Sequence, residues 1–440
     1  MSLTTPESIR TLQRKLYLKA KAEPAFRFYQ LYDKVWRADM LAHAYVLCRS
    51  NAGAPGVDGV TFAMIEAAGL ERWLAKLCEE LRQKTYRPQA VRRVMIPKPA
   101  GGERPLGIPT IRDRVAQMAV KLVIEPIFEA DFDDSAYGYR PRRGAADAIK
   151  EVHRLLHHGS TDVVDADLSK YFDTIPHAQL MQSVARRIVD RQVLRLIKLW
   201  LKAPVEERDA NGTGRMSGGK DNDCGTPQGG VISPLLANLY MNRFLKYWRT
   251  TGKGETFQAD IVSYADDFVI LSRGYAGEAL AWTRAVMARL GLALNEAKTS
   301  VRNARQERFD FLGYTFGPHR HWKNGRWYLG ASPSRKSVQR IKDKVAAILV
   351  PGNKGAWPEV RDQLGRLLRG WSNYFGYGTR LQAYRAVDNH VYDHVRSFLA
   401  KRHKVKGLGS RHFPRKLVFG ELGVPALRRR HTGPPPKASG

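Results

Sequence analysis

"VSYADDFVIL", residues 262–271, is an apolar, β-prone run broken by two adjacent aspartates. Charge inside a buried strand is costly unless it is paired or metal-bound. Neighbouring side chains of a strand also point to opposite faces, so Asp266 and Asp267 cannot act together from within one. The simplest geometry is a hairpin, with 261–264 and 268–271 as its strands and Ala265-Asp266-Asp267 at the turn. Turns favour Asp in any protein. On this stretch alone, a hydrogen-bonded turn and a functional pair are equally good readings.

A second acidic stretch shifts that balance. "VVDADLSKYFD" (163–173) also ends an apolar strand in carboxylates, and Asp165 and Asp167, two apart, share a face. Carboxylates converging from two strand ends repel one another unless they hold hard cations. Mg2+ takes carboxylates, water and substrate phosphate oxygens. Two such ions roughly 4 Å apart clamp an in-line phosphoryl displacement. The chain carries 73 Lys+Arg against 42 Asp+Glu, a net +31, and a field of that sign suits a polyanionic partner such as RNA or DNA. Together these features point to a nucleic-acid polymerase or nuclease. A third stretch, "CGTPQGGVISPLLANLYMN" (224–242), places a glycine-rich turn at the start of an apolar helix. There the backbone can approach a ligand closely.

Composition excludes several classes. The three cysteines (Cys48, Cys78, Cys224) are widely spaced and form no CxxC, which argues against a disulfide framework or zinc knuckle and fits a reducing cytoplasm. No uninterrupted stretch of 18 apolar residues and no N-terminal apolar core of a secretion signal is present, so no membrane partner is expected. Along the chain, 6–50 and 62–84 read as helical and 90–109 as a β-hairpin around Gly101-Gly102. Helices are expected at 110–130, 144–158, after Pro176, at 231–248 and at 276–290. A short strand is expected at 308–316. From about 330 the pattern is helical and basic, over 333–350 and 358–402. The coarse map is a mixed α/β body over about 50–330, a helical C-terminal domain and a disordered tail.

The ordered set "DADLSKYFD", "GTPQGGVISPLLANLY", "YADD", "LNEAKT" and "FLGY" resembles the palm motifs of reverse transcriptases. With "IPKPAGGERPLGIPTIRDR" and "YGYRPRRGAADAI" ahead of it, the chain resembles the group II intron-encoded reverse transcriptase/maturase family, over about 50–430. The resemblance implies an α/β right-hand polymerase, with fingers and palm built on antiparallel sheet, followed by an all-helical thumb/maturase domain. Its boundaries are 1–150 for the N-terminal extension and fingers, 151–330 for the palm (the two interleaving), 331–430 for thumb and maturase, and 431–440 for the tail.

The resemblance also assigns roles. Asp167, Asp266 and Asp267 are the catalytic carboxylates, and with the Leu168 carbonyl they hold two Mg2+ ions, or Mn2+ in their place. Asp165 supports the strand end. Lys98 and Arg104 flank the hairpin turn and meet the incoming dNTP triphosphate, or else template phosphate. Phe172 stands at the ribose 2′-OH gate, Gln228 and Gly229 lie against the templating pair, and Lys298 protonates the leaving pyrophosphate. Tyr137, Arg140 and Arg142 line the template path, and Arg335, Lys336, Arg340 and Lys342 on one helix meet a duplex backbone. Trp371, Tyr374 and Phe375 read more as bundle core than as RNA contacts.

The implied function is RNA-directed DNA synthesis with assistance to intron splicing and retrohoming. The implied partners are group II intron RNA, template RNA, a DNA primer or target, and dNTP. The implied location is the cytoplasm, with the nucleoid during action on target DNA. No cysteine follows Cys224, so a cysteine-bearing endonuclease is not expected. Two other readings stay open at this point: a splicing cofactor whose polymerase activity is secondary, and a domesticated reverse transcriptase in defence or DNA repair.

Overall fold

The computed structural model describes residues 4–97, 102–208, 214–219, 221–321, 324–407 and 409–428. The elements run α1 (Glu7–Ala22), α2 (Tyr32–Val35), α3 (Ala38–Ser50), α4 (Phe62–Arg82), β1 (Val91–Pro97), β2 (Glu103–Ile108), α5 (Ile111–Glu129), α6 (Ala145–His157) and β3 (Asp162–Asp167). Next come α7 (Tyr171–Thr174), α8 (His177–Ala185), α9 (Arg191–Leu201), β4 (Pro204–Arg208), β5 (Gly214–Gly218), α10 (Ser233–Thr250), α11 (Lys253–Thr256), β6 (Ala259–Tyr264) and β7 (Asp267–Ser272). The chain continues through α12 (Ala276–Arg289), β8 (Ser300–Asn303), β9 (Phe309–Phe311), β10 (Tyr314–Arg320), β11 (Trp327–Pro333), α13 (Arg335–Ile348), α14 (Trp357–Tyr374), α15 (Leu381–Arg402) and α16 (Arg415–Phe419).

Packing divides the chain into two compact units. One comprises Met1–Gly144, Ala166–Ile270 and Gly277–Ser300. The other comprises Ala145–Asp165, Leu271–Ala276 and Val301–Gly440. The boundaries expected near 150 and 330 therefore do not match the packing. The stretch 308–316, expected within the palm, folds with the helical C-terminal residues.

In the first unit the β1–β2 hairpin pairs from Arg92↔Ile108 to Pro97↔Glu103. It is extended by an element that sequence reading missed: β4 pairs parallel to β1 (Val91↔Val205), and β5 pairs back on β4, giving the order β2-β1-β4-β5. An Arg93–Glu207 ion pair of 2.6 Å bridges β1 and β4. Behind the hairpin lies α5, buried around most of its circumference and therefore a core helix. Val115, Ala116, Ala119, Val120 and Val123 are fully buried. Its start is fixed by Thr110, whose side chain accepts from the Asp113 amide.

A second sheet runs β6-β7-β3-β8. In β7, Phe268, Val269, Ile270 and Leu271 are all fully buried, and each buried side chain stabilises by about 1.5–3 kcal/mol. The expected turn is there. β6 ends at Tyr264 and β7 begins at Asp267, with Ala265 at φ 61°.

In the second unit, the stretch expected as one strand at 308–316 is two. Leu312 and Gly313 turn the chain with φ 49° and 78°, the positive pair that a tight primed hairpin requires. β10 then pairs with both β9 and β11. The helices α13, α14 and α15 share a core of Ile341, Val345, Leu364, Leu368, Tyr384, Val391 and Val395, with Trp371 packed against it. Phe375 is buried, whereas Tyr374 is exposed and donates its hydroxyl to the Leu312 carbonyl. The tail expected to be disordered, 431–440, lies outside the described residues.

Candidate active site

The turn between β6 and β7 is held from outside. Tyr137 donates its amide to the Ser263 carbonyl (2.8 Å), and the Ser263 amide donates to Ser135 (2.8 Å). Between them Gly138 comes so close to the turn that a Cβ on it would sit 2.5 Å from the Ala265 nitrogen. The "YGYRPRR" motif thus acts first as a brace for the aspartate turn. Ala265 holds a left-handed conformation that non-glycine residues adopt at a cost of order 1–3 kcal/mol. Such strain persists only where surroundings over-determine it, and this brace does so.

Across the sheet, β3 delivers Asp167. Its carbonyl accepts from the Asn295 amide (2.8 Å), and the Leu168 amide donates to Asp266 (3.4 Å). The two carboxylates reach one cleft of about 800 Å³. Its walls include Arg104, Asp167, Leu168, Tyr171, Gln228, Asp266, Asn295 and Lys298. Burial pushes the Asp266 carboxyl above its ordinary range, and the Asp167 charge adds to this, while Arg104 and Lys298 oppose it. Lys298 donates to Asp167 Oδ2 at 2.7 Å and Asn295 Nδ2 donates to the same oxygen at 3.2 Å. The bond to Asp167 raises the lysine's own pKa. Asp267 is exposed and is not part of the cleft wall.

Among the described residues no three His, Cys, Asp or Glu side chains close a metal site by themselves. A closed zinc-type centre therefore does not fit. The donors present do fit a hard cation that completes its shell with water and phosphate oxygens. They are two carboxylates on one cleft wall, one of them disfavoured as an anion by burial and by the other.

The glycine-rich loop sits opposite. The Gln228 carbonyl accepts from the Gly107 amide at 2.5 Å. Gly229, at φ 108°, lies so near the Gly107 carbonyl that no side chain fits there. Contact this close between loop and β2 explains the glycine at 229, whereas a Cβ at Gly107 would press on Val91 of β1 at 2.8 Å. The start of α10 is completed by a buried side chain from α5: Gln117 Oε1 accepts from the amides of Val231 (2.9 Å) and Ile232 (3.4 Å). Sequence reading missed Gln117 and Asn295. Only the motif around Asn295, "LNEAKT", gave any signal.

The other candidates separate clearly. Arg104 is exposed on β2 and faces the cleft, while Lys98 lies outside the described residues. Phe172 is 9% exposed and edge-on to Tyr171, and the cleft wall there is Tyr171. Arg142 is exposed, and Tyr137 is half-buried beneath the Arg143 guanidinium. Arg335, Lys336 and Arg340 are exposed and Lys342 half-buried on α13, whose opposite face buries Ser337, Ile341 and Val345.

Arg140 corrects the expectation. It is buried and its guanidinium is spent inside the protein. Nε and Nη2 bind Glu129 (2.7–3.1 Å), and Nη1 binds the carbonyls of Asp133 (2.6 Å) and Ala136 (2.8 Å). A buried guanidinium with four of its five N–H donors engaged inside the protein is not presented to a template phosphate.

Sequence comparison agrees with this geometry. The profile described as reverse transcriptase (RNA-dependent DNA polymerase) matches residues 96–316, and that of the group II intron maturase-specific domain matches 338–417. Protein YkfC of Escherichia coli K12 is 37% identical over 343 residues, which are 70% of this chain and 87% of that one. The group II intron-encoded protein LtrA of Lactococcus lactis is 35% identical over 222 residues, 50% of this chain and 35% of LtrA. A telomerase structure from Candida albicans covers 79% of this chain and 66% of its own at 11% identity and a TM-score of 0.42, a likeness too loose to bear weight.

Proposed function

Because the chain belongs to the reverse transcriptase family and carries a group II intron maturase-specific domain, we propose that its cleft extends a DNA primer with dNTPs on intron RNA, using two Mg2+ ions. The chain is an RNA-directed DNA polymerase that assists intron splicing, and its partners are RNA and DNA. The observation that carries the proposal is that Asp167, at the end of β3, and Asp266, in the β6–β7 turn, wall one cleft with Arg104 and Gln228.

Asp167, Asp266 and the Leu168 carbonyl would hold the metal, with Asp267 beside them. Bound there, the metal supplies positive charge that acidifies the primer 3′-hydroxyl and offsets charge on the leaving pyrophosphate. Arg104, with Lys98, binds the triphosphate and fixes its α-phosphate in line with that hydroxyl. Such positioning and electrostatics supply most of the rate in phosphoryl transfer. Gln228 and Gly229 support the nascent base pair from the loop docked on β2. Phe172, behind Tyr171, limits the space at the ribose 2′ side. Lys298 steadies Asp167 and supplies a proton to the pyrophosphate. Tyr137 and Arg142 guide template, and Arg335, Lys336, Arg340 and Lys342 bind a duplex backbone. The cytoplasm is the proposed location, and retrohoming into DNA is the proposed use of the polymerase.

The test is primer extension on an RNA template by the full chain, with and without EDTA, beside a splicing assay. Asp167→Asn/Asp266→Asn should give no extension above background and should still promote splicing. EDTA should stop wild-type extension and Mg2+ should restore it. Extension by the double variant at the wild-type rate would overturn the assignment.

A further inference from the structure

A second basic cleft lies away from the first. Three helix ends meet around about 450 Å³ walled by Arg186, Arg243, Lys246, Tyr247, Arg289 and Leu290. On α10, Arg243, Lys246, Tyr247 and Thr250 fall at i, i+3, i+4 and i+7, so one helical stripe faces the cleft. Arg186 follows the last residue of α8, and Arg289 is the last residue of α12. Along α10, Lys246 lies thirteen residues from Ser233, or about 20 Å from the end that carries the glycine-rich loop. This cleft is therefore separate from the polymerase site.

No acidic side chain is part of its wall. Among the described residues, Arg186, Arg243 and Arg289 form no ion pair. Arg243 is held by the Gln179 carbonyl (3.1 Å) and over the Tyr240 ring (5.3 Å). Each helix C-terminus contributes roughly half a negative charge. Three of them offset about one and a half of the four positive charges, Asp131, outside the wall, offsets part of the Lys246 charge, and the remainder is positive. Burial lowers the pKa of the half-buried Lys246, the nearby Asp131 carboxylate raises it, and Arg249, Arg186 and Arg187 lower it. Tyr247 is 42% exposed and stacks on Trp282 (5.5 Å, 17°), so its ring is a braced, partly open platform.

We propose that this cleft binds single-stranded RNA, with Arg186, Arg243, Lys246 and Arg289 on successive phosphates and Tyr247 against a base. The proposal rests on the reading of the chain as an RNA-handling polymerase. Helix walls without carboxylates suit a phosphodiester strand better than a metal-bound triphosphate. A volume on the scale of a small-molecule pocket admits a strand but not a duplex. A ring beside guanidinium groups is the usual platform for unpaired bases.

The experiment uses the full chain with its polymerase cleft already filled by a chain-terminated template–primer duplex. A labelled oligouridylate is then titrated by fluorescence anisotropy at several salt concentrations. Wild type should bind. Arg186→Gln/Arg243→Gln/Arg289→Gln should bind at least about tenfold more weakly, with a salt slope smaller by about 2, at roughly 0.7 per phosphate contact on a single strand. The corresponding Arg→Lys triple variant should recover most of the affinity. Primer extension on a short duplex should stay at wild-type level in both, which also reports folding. In wild type alone, a thiouridine photo-crosslink should fall on the peptide containing Tyr247. Unchanged affinity and slope in the Gln variant would overturn the proposal. So would a missing crosslink, or tighter binding of an acidic peptide than of the oligouridylate. Failure of wild type to extend primers would sink the polymerase reading while leaving the anisotropy result standing.

Discussion

Asp113 and Asp266 are carboxylates of the same unit, both withdrawn from solvent, both with pKa raised chiefly by burial. They differ in their partners. Asp113 accepts from the Tyr86 hydroxyl (2.6 Å), the Thr110 hydroxyl (2.9 Å) and the Gln89 amide (3.0 Å), with Arg112 at 3.6 Å. Trp200 donates in turn to Tyr86 at 3.0 Å. The Asp266 carboxylate accepts from its own backbone amide and shares a cleft wall with a second carboxylate. A buried carboxylate whose acceptors are filled by its own protein holds structure together. One that lines a cleft beside a like charge is placed to take a cation. The same contrast separates Arg140, engaged inside, from Arg104, exposed at the cleft.

Substitutions ranked by their effect on unfolding free energy can break this contrast. Arg140→Gln should cost most, about 3–5 kcal/mol, because it breaks a buried pair and strands Glu129. Urea denaturation would measure it, and template affinity of the folded fraction should stay unchanged. A large loss of affinity at unchanged stability would return Arg140 to the template path. Gly138→Ala should cost about 1–3 kcal/mol through overpacking against the Ala265 backbone. It should also slow extension, since the brace positions Asp266. Asp113→Asn should likewise cost about 1–3 kcal/mol, leaving buried hydroxyl and amide donors poorly paired, with kcat for extension preserved in the folded protein. Lys298→Gln should change stability by no more than about 1 kcal/mol, because its side chain is 66% exposed. It should slow extension far more than that figure implies.

Much of the site was legible because its parts are local. The "YADD" turn, the 91–108 hairpin and the glycine-rich entry to α10 each carry their signal within about twenty residues, in alternation, turn chemistry or helical period. What was not legible depends on partners far along the chain. "PVEERDANGTGRMSG" reads as a polar, glycine-bearing loop, and 204–208 becomes a strand only because β1, more than a hundred residues earlier, offers an open edge. Arg140 looks like any arginine of a basic motif until Glu129 and two carbonyls take its donors. Gln117 lies in an ordinary helix, and its role appears only where α5 meets the start of α10. The division near 300, where 330 was expected, has the same origin. The expected single strand at 308–316 is a hairpin whose third strand, β11, was not foreseen.

Asp266→Asn is the most direct test, because the account separates its two effects completely. The substitution keeps shape and removes a charge that burial already disfavours, so urea denaturation should give a stability equal to wild type or slightly higher. Primer extension by the same preparation should fall to background. Wild-type extension, or a loss of stability like that of Asp113→Asn, would place Asp266 among the structural carboxylates and contradict the account.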